Sequence, residues 1–212
     1  MIKNNIKICG IKDRTILDCC IKNNIKYFGL LFYEKSPRYI NFDHALSLIN
    51  YAKEKKIIPV GVFVNEPIQK LKEIIKKTSL KHIQLHGNED DNYMQILKDK
   101  FELTIIKSIG INNKNDLKEI EKVKLADYYL FDYKPKIDEL PGGNAKQFDW
   151  SILNSFINKK PWFISGGINV YNIKQILDNL IPYGIDISSG VEEKKGIKSC
   201  EKICQLMKKL NE

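Results

Sequence analysis

The 212-residue sequence predicts an α/β fold, a single (β/α)8 barrel spanning residues 1–212. Three observations predict it. Short apolar runs rich in Ile, Val, Phe and Tyr recur about every 25 residues, with stretches of helical spacing between them. The runs are continuous rather than alternating, which marks strands of a parallel sheet covered on both faces. Eight such strand-helix units are present, a number that favours closure over an open doubly wound sheet.

The strands are read at 6–11 (IKICGI), 26–32 (KYFGLLF), 57–64 (IIPVGVFV), 82–86 (HIQLH), 103–109 (LTIIKSI), 126–132 (ADYYLFD), 161–166 (PWFISG) and 184–188 (GIDIS). Helices are expected at 13–23, 43–55, 67–77, 90–100, 113–122, 150–158, 170–178 and 198–209. Asp43 and Asn169 are placed as N-caps, because a short polar side chain there accepts from the free N–H groups of the first turn. Pro67 falls at an early helical position, where its missing N–H is not needed. The one long connection, 133–148, follows the sixth strand, and a loop of that length in a compact barrel is a candidate for function.

Charge and cysteine content narrow the function classes. The net charge of +9 invites a nucleic-acid partner, yet of the 35 basic residues only Arg14 and Arg38 are arginine and the lysines are dispersed through helical segments. That is a solvated lysine surface. Most Tyr and Phe fall in strands, so there is no exposed stacking platform, and no nucleic acid is expected as partner. No run of eighteen apolar residues exists and the first residues lack a signal-peptide core, so no membrane association and a cytoplasmic location are expected. Five cysteines (Cys9, Cys19, Cys20, Cys200, Cys204), an odd number without C-x-x-C, point to reduced thiols, and those on the first and last helices to small buried hydrophobes. Barrel helices expose apolar residues in monomers and dimers alike, so both states stay open.

In such a barrel the reactive groups gather at the carboxyl ends of the strands. Those ends carry Cys9-Gly10, Ser36-Pro37-Arg38, Asn65, Gln84 with His86, Lys107, Asp132, Ser165-Gly166-Gly167, and Asp186 with Ser188-Ser189-Gly190. The turns ISGGIN (164–169) and ISSGVE (187–192) follow adjacent strands, and glycine lets backbone N–H groups close on an anion. A phosphorylated small molecule is the expected ligand. A cysteine acts as a base when positive charge or hydrogen bonds lower its pKa, and Lys7 lies two residues from Cys9 on the same strand face. An arginine kept in a lysine-rich chain points to a need for a planar, bidentate donor.

These motifs, in this order and over nearly the whole chain, resemble the phosphoribosylanthranilate isomerase family. The resemblance is carried by Lys7-Ile8-Cys9-Gly10, Ser36-Pro37-Arg38, Gly61 to Asn65, Ile83 to Glu89, Asp132 with Gly142-Gly143 and Phe148-Asp149-Trp150, Gly166-Gly167 with Asn172, and Asp186 to Glu192. It implies an isomerase of tryptophan biosynthesis that performs an Amadori rearrangement, with Asp132 as acid and Cys9 as base. Arg38 would hold the anthranilate carboxylate, and the amides of Gly166, Gly167, Ser189 and Gly190 the phosphate. Lys7, His86 and Asp186 would line the site. No metal and no organic cofactor are implied. Two neighbouring enzyme classes fit less well: an indole-glycerol-phosphate synthase needs catalytic Lys and Glu at the strand ends, and a ribulose-phosphate epimerase paired Asp with metal-binding His. One departure stands out. Where the family has Thr or Ser and then Gly after the glycine pair, this chain has Asn144-Ala145, and alanine resists a positive φ.

Overall fold

A computed structural model describes residues 5–136, 138–140, 142–156 and 160–212, the side chain of Ser155 excepted. Strands β1 (Ile6–Cys9), β2 (Tyr27–Leu31), β3 (Ile58–Phe63), β4 (His82–Leu85), β5 (Thr104–Ile111), β6 (Tyr128–Tyr133), β7 (Trp162–Ile164) and β8 (Gly184–Ile187) pair in chain order. All neighbours run parallel, and β8 returns to β1 with Lys7 opposite Asp186, which closes the barrel.

Side chains alternate along each strand between the helix layer and the barrel interior. The outward set, including Ile8, Phe28, Ile83, Ile105 and Ile185, packs with Leu17, Leu48, Leu71 and Leu97 of the helices. Each such side chain contributes roughly 1.5–3 kcal/mol on burial. The inward set divides by height. Tyr27, Val60, Ile106, Leu130 and Phe163 fill the foot, with Phe163 edge-on to Tyr27 at 5.8 Å. Above them β1 carries Lys7 and Cys9, β6 carries Asp132 two residues beyond Leu130, and β8 carries Asp186. The apolar plug below leaves the polar groups only the upper mouth.

Helices α1 (Arg14–Lys22), α2 (Phe42–Ala52), α3 (Ile68–Thr78), α4 (Asp91–Lys98), α5 (Ile173–Asn179) and α6 (Cys200–Asn211) surround the barrel. The expected fifth and sixth helices are instead 3-10 segments, Lys114–Lys122 and Trp150–Ser155. The former, KNDLKEIEK, buries only Asp116 and Ile120, too little apolar surface to hold a full α-helical face. The end of the sixth expectation, 157–158, lies outside the described residues. Caps are also displaced. Asn41 caps α2 by accepting from His44 N at 2.9 Å, while Asp43 is exposed in the first turn. Asn172 begins α5, and Asn169 caps the preceding turn by accepting from Tyr171 N. Pro67 is itself the N-cap of α3.

Two features were not expected. A short hairpin, β9 (Glu192–Lys194) with β10 (Ile197–Lys198), follows the barrel and turns at Gly196, φ +83°. Closure also sets α1 beside α6, and there Cys19 and Cys200 form a disulfide, Cα–Cα 5.9 Å, across 181 residues of sequence. This corrects the reading of both as separate reduced thiols; their pairing depends on a neighbour relation that appears only once the barrel is closed.

Candidate active site

Cys9 ends β1 buried at the mouth of the barrel. Its sulfur has room because the facing residue on β2 is Gly29, where a Cβ would stand 2.8 Å from Sγ. Gly10 has φ +86° and clears space for the Arg38 stem, whose Cδ would lie 2.9 Å from an added Cβ. Gly29 is marked in the sequence only as a glycine inside a strand, a sign of close approach.

Lys7 lies directly below, fully buried, with Nζ 2.9 Å from Asp186 Oδ1. It supports the cavity from beneath and is not among the described residues that line it. Burial works against its charge, but Asp186 and a hydrogen bond to Cys9 outweigh burial and hold the ammonium above its ordinary range. Burial likewise pushes the Cys9 thiol up, and Lys7, with Lys198, pulls it back only in part. The expected lowering by Lys7 is therefore present but smaller than the desolvation it opposes.

Asp132 stands across the mouth on β6. Its Oδ1 accepts from Tyr133 N at 2.7 Å, and its Oδ2 lies 3.4 Å from His86 Nε2. His86 is oriented by Gln84, whose Nε2 is 2.7 Å from Nδ1, and by Ser108 Oγ at 3.3 Å from Nε2. With Gln84 donating to Nδ1, the ring proton sits on Nε2 and faces Asp132. Gln84 Oε1 is buried without a partner among the described residues. Cys9, Arg38, Gln84, His86, Asp132 and Asp186 line one cavity at the mouth.

The cavity continues past Asp132, Ser165, Asp186 and Ser188 into a second recess lined by Gly166, Gly167 and Ser189. Gly166 and Gly167 have φ +90° and +65°, left-handed backbone that glycine adopts without a side-chain penalty. Gly190 packs against the Ile168 backbone so closely that it has no space for a Cβ, and it lies behind the recess. Its part in forming the turn is thus packing.

Arg38 is engaged differently from expectation. Its Nε and Nη2 donate to the two oxygens of Glu192 at 2.7 and 2.9 Å, and Nη2 also donates to Gly143 O at 3.1 Å. Gly143 has no Cβ because Nη1 occupies that place. Glu192 also accepts from Lys198 Nζ at 2.7 Å, and Lys198 donates to Ser188 O and Oγ, while Ser188 Oγ donates to Cys9 O. Burial alone would raise Glu192, but its bonds from Arg38 and the nearby Lys198 hold it below the usual carboxylate range. Burial lowers Lys198 despite Glu192. The roles of Glu192 and Lys198 were missed from sequence; an acidic residue directly after the second glycine turn was the only signal. The loop above carries Ala145 at φ +56°, the strained conformation that its substitution for glycine threatened.

The fold and mouth together define a (β/α)8 barrel with a carboxyl and a thiol in one cavity that runs into a glycine-lined recess, the outline of a barrel isomerase. Residues 6–209 match the family model for N-(5'-phosphoribosyl)anthranilate (PRA) isomerase. The chain belongs to that family. It is 40% identical to N-(5'-phosphoribosyl)anthranilate isomerase of Rhizobium etli (strain CIAT 652) over 200 residues, 93% of this chain and 90% of the relative. The enzyme of Paramagnetospirillum magneticum is 35% identical, covering 96% and 95%. The structure superposes on phosphoribosyl anthranilate isomerase of Thermotoga maritima with TM-score 0.87 at 28% identity, covering 98% of both chains. A phosphoribosyl anthranilate isomerase solved with reduced 1-(o-carboxyphenylamino)-1-deoxyribulose 5-phosphate gives TM-score 0.83 at 27% identity, again over 98% of both.

Proposed function

We propose that this mouth converts N-(5-phosphoribosyl)anthranilate to 1-(2-carboxyphenylamino)-1-deoxyribulose 5-phosphate, an Amadori rearrangement of tryptophan biosynthesis. The reading rests on one observation above all: Cys9 and Asp132 line a common cavity that runs into the glycine recess. The phosphate seats against the amides of Gly166, Gly167, Ser189 and Gly190, which places the sugar between the two reactive groups.

Asp132 gives its proton to the furanose ring oxygen, and the ring opens to an iminium. The Cys9 thiolate then takes the C2 proton, and the resulting enolamine tautomerises to the ketone. Each proton transfer is worth ~10²–10⁴ in rate. The ammonium of Lys7 stabilises the thiolate, Asp186 holds that ammonium, and His86 fixes the Asp132 carboxyl by facing Oδ2. Gln84 Oε1, buried and unpartnered, is an acceptor for a sugar hydroxyl. Arg38 takes the anthranilate carboxylate when the loop bearing Gly143 lifts from Nη1, with Glu192 holding the rest of the guanidinium still. The chemistry described needs only these side chains.

A doubly charged phosphate ester does not cross a membrane unaided, which supports reading the enzyme as one that works in the same compartment as its substrate's synthesis, the cytoplasm. No helix among the described residues is long and apolar enough to span a bilayer. Every residue given a role lies on one chain, so chemistry is compatible with a monomer or a homodimer.

The test is a fluorescence assay of substrate consumption by the purified chain. Cys9→Ala and Asp132→Asn are each expected to lower turnover by at least ~10². Near-normal turnover of either variant removes that residue from the mechanism.

A further inference from the structure

On the outside of the barrel, away from the mouth, three sulfurs meet between the first and last helices. Cys19 on α1 and Cys200 and Cys204 on α6 have Sγ atoms that all lie within 4.8 Å of one another. Cys19 and Cys200 are joined, and Cys204 is free. The Asn23 amide reaches both ends of the group, with Nδ2 3.4 Å from Cys204 Sγ and 3.8 Å from Cys19 Sγ. Among the described residues the free thiols are Cys9, Cys20 and Cys204, and of these Cys204 alone is exposed.

We propose that Cys19, Cys200 and Cys204 form a thiol–disulfide exchange site that fastens α6 to α1, with Cys204 as the thiol that a small external disulfide modifies.

The steps follow from the distances. In the reduced chain the Cys204 thiolate attacks one sulfur of a low-molecular-weight disulfide, forming a mixed disulfide and releasing one thiolate. Cys19 attacks Cys204 Sγ, expelling the second small thiolate and making a Cys19–Cys204 bond. Cys200 then attacks Cys19 Sγ, leaving Cys19–Cys200 joined and Cys204 free again. One external disulfide is reduced to two thiols, and two cysteines are oxidised to one cystine. Opening is the reverse path. Exchange needs an exposed sulfur to meet the external reagent and partner sulfurs within reach of it; Cys204 is exposed, and the buried Cys19 and its partner Cys200 lie within 4.8 Å of it.

The neighbouring thiol supplies an internal contrast. Cys20, next to Cys19 in sequence, is fully buried and its thiol is pushed up to about 12 by burial, so it does not compete for the reagent. The fastening point also matters for the mouth. Ser199 caps α6, Cys200 is its first residue, and two residues before Cys200 stands Lys198, which donates to Glu192. A bond at Cys200 therefore anchors the chain close to the support of Arg38. None of this uses Cys9 or Asp132 as reacting groups, so its failure and failure of the isomerase reading are distinguishable.

The test uses the purified full chain, fully reduced and then exposed to oxidised glutathione, quenched with an alkylating agent at intervals and mapped by peptide mass spectrometry. Glutathione is expected first on Cys204, followed by a Cys19–Cys200 bond with Cys204 free. Cys204→Ser is expected to slow closure ~10-fold or more while reaching the same end state, and Cys20→Ser to leave the rate unchanged. Cys200→Ser, with its final step removed, should trap the Cys19–Cys204 bond. Equal closure rates with and without Cys204, or glutathione remaining on Cys204 with no bond between Cys19 and Cys200, would overturn the proposal. So would a reduced trio that takes up one zinc ion through all three sulfurs and then forms no disulfide in oxidised glutathione.

Discussion

Glu192 accepts from two nitrogens of a single guanidinium, Arg38 Nε at 2.7 Å and Nη2 at 2.9 Å, although the two residues are 154 apart in sequence. Both side chains are almost wholly buried and Lys198 joins the same carboxylate, so removing the charge leaves two buried cations facing each other. Breaking a buried pair from one side costs about 3–5 kcal/mol. Glu192→Gln is therefore expected to lower unfolding free energy by about 3 kcal/mol in urea titration, and to raise KM more than it lowers kcat, because Arg38 loses its anchor. The carboxylate is held below its ordinary range in the folded chain. Its contribution is thus fully present above the unfolded value and fades as pH falls through the lower folded one, and Glu192→Gln should flatten that part of the acid unfolding curve.

The Lys7–Cys9 pair makes a pH prediction. The proposed mechanism uses the Cys9 thiolate, while burial holds the thiol above its ordinary value and the Lys7 ammonium draws it down. The reactive fraction in the free enzyme therefore grows as pH rises, and kcat/KM should increase from neutral into alkaline solution. Lys7→Met removes the opposing charge, so the limb should move to higher pH and the rate at pH 7 should fall. A profile with the same limb in both proteins would show that Lys7 does not act on the base.

What could be read from the sequence follows the range of the physics involved. Strand positions were legible because burial on both faces writes a continuous apolar run, and the residues that meet at the mouth were legible because Cys9, Asp132 and the glycine turns sit close to strand ends. The caps slipped because Asn41 and Asp43, or Asn169 and Asn172, are equally able acceptors and only the backbone path chooses between them. The hairpin Glu192–Lys198 is short and charged, with no apolar alternation to reveal it. Arg38 with Glu192 and Cys19 with Cys200 are pairings between distant parts of the chain, and local pattern carries no trace of either.

Gly29 offers a steric test of the base. A Cβ there would sit 2.8 Å from Cys9 Sγ and 3.1 Å from Cys9 Cα, so the thiol must turn or β1 must shift. Overpacking of this kind costs about 1–3 kcal/mol. Gly29→Ala is expected to lose activity by ~10-fold or more, beyond what its loss of stability explains, because a displaced sulfur no longer meets the C2 proton. The check is turnover measured well below the unfolding midpoint, beside the rate at which a thiol reagent labels Cys9.

Ala145 gives the opposite kind of prediction, a gain. It holds φ +56° in the loop between β6 and the Trp150–Ser155 segment, where a side chain crowds its own backbone and glycine does not. An L residue in this region costs roughly 1–2 kcal/mol, partly offset because glycine has more freedom to lose on folding. Ala145→Gly should therefore stabilise the closed loop by up to about 1 kcal/mol, and since Gly143 of the same loop accepts from Arg38 and covers its Nη1, closure over the mouth should become more favourable. Two readouts separate the consequences: the urea midpoint should rise slightly, and KM should change in whichever direction the loop must move for substrate entry. An unchanged midpoint together with unchanged KM would mean that the left-handed alanine carries no strain worth relieving.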